Sequence, residues 1–308
     1  MGQFDHSTYV SMTMEFRCNL KCVYCMIEDT MDYLVPETID KFKELLDINT
    51  KEKRWKGLIL TGSEITLYKE LPKLAQMARN SGFQHVRIQT HGMKLARKDY
   101  CRRLIEAGVD EFFVSVAGAD AESHDEITTV PGSFDKTLQG LENLDAYDHV
   151  VAITNTVVTN RSYHLLPDLV GSLGHIRRLK QMEFWVYWPM KETDEKNLIP
   201  NHLDMLPYLK LAATRARDLG RDVEIKNFPE CLLEEDGDLL VNDQPQLYID
   251  PEFWSQFERN GFNQCIYKEQ CSSKQCLGLN TAYIKKYGWE DDILHPLPEH
   301  EVKEINLA

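Results

Sequence analysis

The segment YVSMTMEFRCNLKCVYC, residues 9–25, decides the fold. Its first half is a strand-like run ending at about Phe16, and the chain then passes straight into three cysteines, Cys18, Cys22 and Cys25, in CxxxCxxC spacing. The segments after it tell which kind of strand this is. The residues PETIDKFKELLDI carry Ile39, Phe42, Leu45 and Leu46 at helical spacing behind a proline start. KGLILTG then leads to ELPKLAQMARNSG, HVRIQT to ARKDYCRRLIEAG, and EFFVSV to DAESHDEI and SFDKTLQGLENL. HVVAITNTVVT leads to YHLLPDLVGSLG, and QMEFWVYWP to HLDMLPYLKLAATRARDLG. Six strand–helix units in succession predict a parallel sheet, and strands this apolar need helices packed on them. Gly82, Gly108, Gly174 and Gly220 stand where left-handed helix caps are expected. The expected fold is α/β, an open, partial (β/α)6 barrel over residues 1–222, with its functional loops at the carboxyl edge of the sheet. After about residue 222 the alternation stops. Residues 223–308 read as a small, separate, metal-stapled region with a helix period only in LNTAYIKKYG.

The chain has 308 residues, 43% of them hydrophobic, and a formal charge of −14. That acidity argues against nucleic acid as the main partner. No apolar run approaches the roughly 20 residues needed to cross a bilayer. MGQFDHSTYV lacks the basic and apolar regions of an export signal, so a cytoplasmic protein with no membrane partner is expected. In that compartment eight cysteines should be reduced, which favours metal ligation over disulfides. Cys18, Cys22 and Cys25 form one group, and Cys231, Cys265, Cys271 and Cys276 another. Cys101, on a helix beside Leu104 and Ile105, reads as a small buried apolar residue. Four thiolates complete a structural zinc site or every iron of a four-iron cluster, whereas three leave one iron with an open position.

CNLKCVYC, with Tyr24 before its last cysteine, follows a first strand and precedes a βα series. It resembles the cluster motif of the radical SAM superfamily, CxxxCxφC with an aromatic at φ. The resemblance implies a [4Fe-4S] cluster on Cys18, Cys22 and Cys25 whose open iron binds S-adenosylmethionine (SAM). It implies reductive cleavage of SAM to a 5′-deoxyadenosyl radical, hydrogen abstraction from a substrate carbon, and an electron donor of the flavodoxin or ferredoxin type. It also implies further cofactor contacts. LTGSEIT resembles the segment that holds the methionine amino group, which nominates Gly62, Ser63 and Glu64, with the Glu64 carboxylate accepting from the ammonium group. Ser63 replaces a commoner glycine. QTHG stands where relatives have TNG, which nominates Thr90 and His91; the imidazole either donates to the ligand or is a satisfied edge histidine. FFVSVAG places Ser115 where relatives have the serine of an SxDG segment, which nominates Ser115; Ala117 replaces the acidic residue, so a ribose contact from that position is lost. Asn155 and Thr156 either contact ribose or the methionine carboxylate, or alternate out of the barrel.

NFPECLL, NQCIYKEQCSSKQCLG and AYIKKYGWED resemble the short auxiliary-cluster domains called twitch or SPASM-like. That implies one auxiliary [4Fe-4S] cluster on Cys231, Cys265, Cys271 and Cys276, with zinc as the alternative. Trp185, Tyr187 and Trp188 read as strand packing, with one ring available to a pocket. The substrate is expected to be a ribosomally made peptide, on the strength of the C-terminal cysteine pattern, or else a small biosynthetic intermediate. Only 17 residues precede Cys18, so no leader-binding domain is expected there. A non-catalytic iron–sulfur sensor is the reading from a different class, and it would not need the Gly62–Glu64 segment, Thr90, Ser115 or Asn155.

Overall fold

The computed structural model of the protein describes residues 4–27 and 32–298. Its strands are β1 (Tyr9–Glu15), β2 (Gly57–Gly62), β3 (His85–Thr90), β4 (Glu111–Ser115), β5 (Val151–Val158), β6 (Leu179–Val186), β7 (Asp222–Lys226) and β8 (Gln246–Tyr248). They form one sheet in the order β7-β6-β5-β4-β3-β2-β1-β8, and every pairing is parallel. Between them run α1 (Ile39–Glu52), α2 (Leu71–Asn80), α3 (Lys98–Glu106), α4 (Ala121–Thr128), α5 (Ser133–Leu144), α6 (Leu166–Ser172) and α7 (His202–Asp218). The short helices α8 (Glu252–Glu258) and α9 (Thr281–Tyr287) follow β8. The sheet is α/β and open, with β7 and β8 at opposite edges.

The six strand–helix units expected from the sequence are β1 to β6 with their helices. Two strands extend them. β7 continues the alternation across the expected boundary at 222/223, and β8 adds to the free side of β1. Residues 299–308 of the expected C-terminal region lie outside the described residues. One expected cap is corrected: Gly82, Gly108 and Gly220 have φ of 93°, 105° and 70°, but Gly174 takes no positive φ. Its N–H donates to the Gly171 carbonyl at 3.1 Å, a turn that any residue can make.

Alternate side chains of each strand leave on opposite faces. One face carries Met12, Leu58, Leu60, Val86, Ile88, Phe112, Val114 and Phe184, which share the main core with helix residues such as Phe42, Leu74, Leu104 and Leu209. The other face is buried and polar. Arg87 Nε and the Tyr9 hydroxyl both lie 2.8 Å from Glu111 oxygens. Glu224 is met by Lys226 Nζ at 3.1 Å and His6 Nε2 at 3.2 Å. Glu183 accepts from Gln181 at 3.0 Å and from the Trp185 indole at 2.7 Å. Charges survive burial only when partnered in this way. Burial, and next the Glu224 charge, push the Glu183 carboxyl above the usual range.

The apolar core does not stop at the expected boundary. Leu232, Leu233, Leu239, Leu240, Leu279, Ala282 and Tyr283 belong to the same cluster as the sheet and its helices. A smaller apolar cluster of Leu34, Trp188 and Met190 joins Phe16, Met26 and Ile27 of the cysteine loop to Phe253, Phe262 and Leu277 of the C-terminal segment. The Trp188 and Phe262 rings stack 5.2 Å apart.

Candidate active site

Cys18, Cys22 and Cys25 leave the carboxyl end of β1 on a loop held from beneath by the end of α4. The Lys21 and Val23 N–H groups donate to the Thr128 and Ile127 carbonyls at 3.2 and 2.9 Å. The Thr129 hydroxyl returns a bond to the Lys21 carbonyl at 3.0 Å. A tight turn closes the motif, with Cys25 N–H donating to the Cys22 carbonyl at 2.9 Å. The thiols face one another: burial first, and then the neighbouring thiols, push Cys22 up to about 12. Burial likewise lifts Cys18 to about 11, with Glu64 and Cys25 adding to it. A cationic iron group in that space would reverse the mutual repulsion of three thiolates. Tyr24 points its hydroxyl at the Cys22 thiol. Cys101, by contrast, is fully buried on α3, as expected.

The end of β2 lies against β1 so closely that a Cβ at Gly62 would sit 1.8 Å from the Glu15 carbonyl oxygen. The Ser63 N–H donates to that same oxygen at 2.8 Å, and the Ser63 Oγ is buried without a partner. Glu64 turns its carboxylate inward. Its side chain is fully buried, and one carboxylate oxygen accepts from the Thr66 N–H at 2.9 Å, the Thr66 hydroxyl at 2.5 Å and the Thr90 hydroxyl at 2.7 Å. The other accepts from the His91 N–H at 2.8 Å. A carboxylate so occupied ties β2 to β3 and is not presented to an ammonium group.

Ser115 ends β4 in register with Asn155 on β5, which is in register with Glu183 on β6. Asn155 Oδ1 is buried without a partner. Thr156, the next residue on the strand, faces away from Asn155 and is buried on the side of the helices, with Ala152 and Val158. Beyond the end of β6, a small pocket open to solvent is lined by Cys25, Met26, Tyr187, Trp188 and Met190, with Lys191, Asp194 and Lys196 at its polar side. The Trp188 Nε1 is buried and unpartnered. Ser63 Oγ, Asn155 Oδ1 and Trp188 Nε1 are three orphaned polar atoms of the kind that a polar ligand would satisfy. The donor set fits an iron–sulfur cluster with SAM beside it.

The four C-terminal cysteines meet as well. Cys231, Cys265, Cys271 and Cys276 line one small cavity together with Glu230, Ser273 and His295. Burial lifts the Cys276 thiol to about 11, and burial followed by Cys265 and Cys271 raises Cys231. The N–H groups of Gly278 and Leu297 approach the sulfurs of Cys276 and Cys271, both at 3.4 Å. Among the described residues, no three His, Cys, Asp or Glu side chains gather closely enough for a single metal ion. Glu230 and His295 at this cavity, and Asn19 in the first cysteine loop, carry no sequence signal of their own; only the fold brings them to these sites.

Residues 13–169, just over half of the chain, match the family model of the radical SAM superfamily. An AdoMet-dependent heme synthase of Methanosarcina barkeri is 34% identical over 58% of this chain and 50% of its own length. A probable GTP 3′,8-cyclase of Methanopyrus kandleri is 29% identical over 58% of this chain and 56% of its own. The chain thus spans about half the length of the curated relatives it matches. Two solved structures share the fold at low identity. Streptococcus suis SuiB bound to precursor peptide SuiA is 16% identical with a TM-score of 0.56, covering 76% of this chain and 52% of that one. The protein anSMEcpe with bound AdoMet is 17% identical with a TM-score of 0.57, covering 70% and 64%.

Proposed function

As the chain belongs to the radical SAM superfamily of enzymes, which bind a [4Fe-4S] cluster and SAM and need a reductant and a substrate, we propose that Cys18, Cys22 and Cys25 hold that cluster here. Reductive cleavage of SAM to a 5′-deoxyadenosyl radical, which takes hydrogen from a substrate carbon, is the chemistry such a cluster supplies when bound. The observation carrying the reading is the gathering of three thiols on the loop that leaves β1, close enough to β2 for Glu64 to act on Cys18, with the Ser63 hydroxyl at the end of that strand buried and unpartnered. Asn155 Oδ1 accepts from a ligand hydroxyl. Ser63, Ser115 and the backbone at Gly62 position its polar end, and the apolar cluster around Trp188 and Met190 keeps water from the mouth.

Residues 223–308 supply the second centre in this reading. Four cysteines around one cavity support a second metal centre, read here as one auxiliary [4Fe-4S] cluster because the same chain must already be loaded with iron and sulfur, with zinc as the alternative. The preferred substrate is a ribosomally made peptide, a choice supported by the C-terminal cysteine pattern and by the fold shared with a protein solved with its precursor peptide. The second reading, a small biosynthetic intermediate, is favoured by relatives named for heme and GTP. A flavodoxin or ferredoxin-type donor in the cytoplasm completes the proposal; no helix among the described residues is long and apolar enough to cross a membrane.

Anaerobic reconstitution with iron and sulfide, and then addition of dithionite and SAM, should give 5′-deoxyadenosine and methionine, and Cys22→Ala should give neither. No deoxyadenosine from the loaded wild-type protein would leave a non-catalytic iron–sulfur sensor as the better reading. Transfer of deuterium into 5′-deoxyadenosine from a labelled precursor peptide, or instead from a labelled nucleotide or porphyrin, separates the two substrate classes.

A further inference from the structure

The His91 ring, 7% exposed, lies between the cysteine loop and the Gly62–Glu64 segment. Its Nδ1 accepts from the Met93 N–H at 3.2 Å, so that nitrogen carries no proton. In the neutral ring the proton is then on Nε2, which donates to Asn19 Oδ1 at 2.9 Å with a Glu64 oxygen 3.1 Å away. Burial, which holds His91 below its ordinary range, favours the same neutral form. The backbone is fixed too: the His91 N–H donates to Glu64 at 2.8 Å, and the Thr137 hydroxyl donates to the His91 carbonyl at 2.7 Å. Both ring nitrogens are therefore used inside the protein. Asn19 stands in the arm between Cys18 and Cys22, and Glu64 directly follows Gly62 and Ser63.

We propose that His91 is a positioning residue which locks the Cys18–Cys22 arm to the Glu64 carboxylate, and so sets the distance and angle between the thiols and the Gly62–Ser63 backbone. The inference rests on the reading that those thiols hold the cluster and that backbone holds SAM. Misplacing one partner by a fraction of an ångström weakens a ligand that must bridge both. A ligand contact from His91 itself is not part of the arrangement, because the ring has no nitrogen left to give.

The test uses the full, reconstituted chain with His91→Ala, His91→Gln, His91→Asn and Asn19→Ala. A glutamine amide reaches the place of Nε2 and restores the donor to Asn19; an asparagine amide falls near Nδ1 and does not. Iron content, the electron paramagnetic resonance signal of the reduced protein with and without SAM, and SAM affinity are read for each. His91→Ala, His91→Asn and Asn19→Ala should keep their iron, bind SAM about tenfold more weakly, and lose most of the SAM-induced change in the signal. His91→Gln should recover to within about threefold of wild type. Asn19 is exposed, so its variant tests the lock even where His91→Ala fails to fold. Wild-type affinity and signal in Asn19→Ala, or rescue by asparagine and not by glutamine, would overturn the proposal. A wild-type protein whose signal ignores SAM would instead sink the reading of the three cysteines, and the lock with it.

Discussion

The Glu64 carboxylate receives five contacts from donors on two neighbouring segments, three at one oxygen and two at the other. An amide in its place sets an N–H group against at least one of those donors and leaves it buried and unpaired. Glu64→Gln should therefore destabilise the fold by about 2 kcal/mol, read by urea denaturation, with weaker SAM binding as a secondary effect. Unchanged stability with loss of affinity alone would instead make Glu64 a direct ligand contact. Gly62 acts through space: a methyl there meets the Glu15 carbonyl oxygen and must part the ends of β1 and β2. Gly62→Ala should lower stability by roughly 1–3 kcal/mol and reduce SAM-dependent deoxyadenosine formation more than iron content. The sequence motif locates both residues. It cannot say which way the carboxylate turns, because that depends on Thr90 and His91 arriving from the next strand; nor can it separate Asn155 from Thr156 until the strand's phase is known.

At the scale of elements, α4 supports the cysteine loop with its last turn, and a buried histidine controls that turn. His124 is 1% exposed, its Nδ1 lies 3.0 Å from the Ser133 hydroxyl, and its Nε2 is buried without a partner. Burial lowers its pKa from the ordinary 6.5 to about 4, against a partial counter-effect of Asp125. The folded state thus disfavours the protonated ring, so this contribution to stability is full above pH 6.5 and is lost as pH falls towards 4. Stability at pH 5 should be lower than at pH 7 by about 2 kcal/mol from this group, and His124→Gln should flatten that acid limb in denaturation curves taken across the interval. An unaltered acid limb in the variant would assign the loss to other groups. The helices and strands β1 to β6 are legible because apolar runs and amphipathic segments alternate without a break. β7, DVEIK, hides because its buried polar face resembles a solvated one, and β8 is three residues long, too short for any period.

For the whole molecule, the decisive point is that the second cysteine group does not stand on a core of its own. The 223–298 segment reads as metal-dependent in sequence because its apolar residues have no period, yet Leu232, Leu239, Leu279 and Tyr283 enter the main core, where contacts are made across hundreds of residues and leave no local pattern. The Tyr283 hydroxyl accepts from the His202 N–H at 3.1 Å, and Asn260 donates to the Pro189 carbonyl at 2.6 Å, so α7 and the end of β6 also hold the segment in place. Burial of such side chains is worth roughly 1.5–3 kcal/mol each, enough to keep the segment docked without a metal. Cys271→Ala should then lower iron from about eight to about four atoms per chain, the contents of two four-iron clusters and of one. Circular dichroism should stay near that of wild type, and deoxyadenosine should still form, because α4 and His91 hold the three-cysteine loop by hydrogen bonds that do not involve the Cys271 side chain. Turnover of the true substrate should fall if its oxidation needs the second centre. Four irons and one zinc in the wild-type protein would refute the auxiliary cluster, and a collapsed fold in Cys271→Ala would show that the metal, and not the shared core, holds residues 223–298 in place.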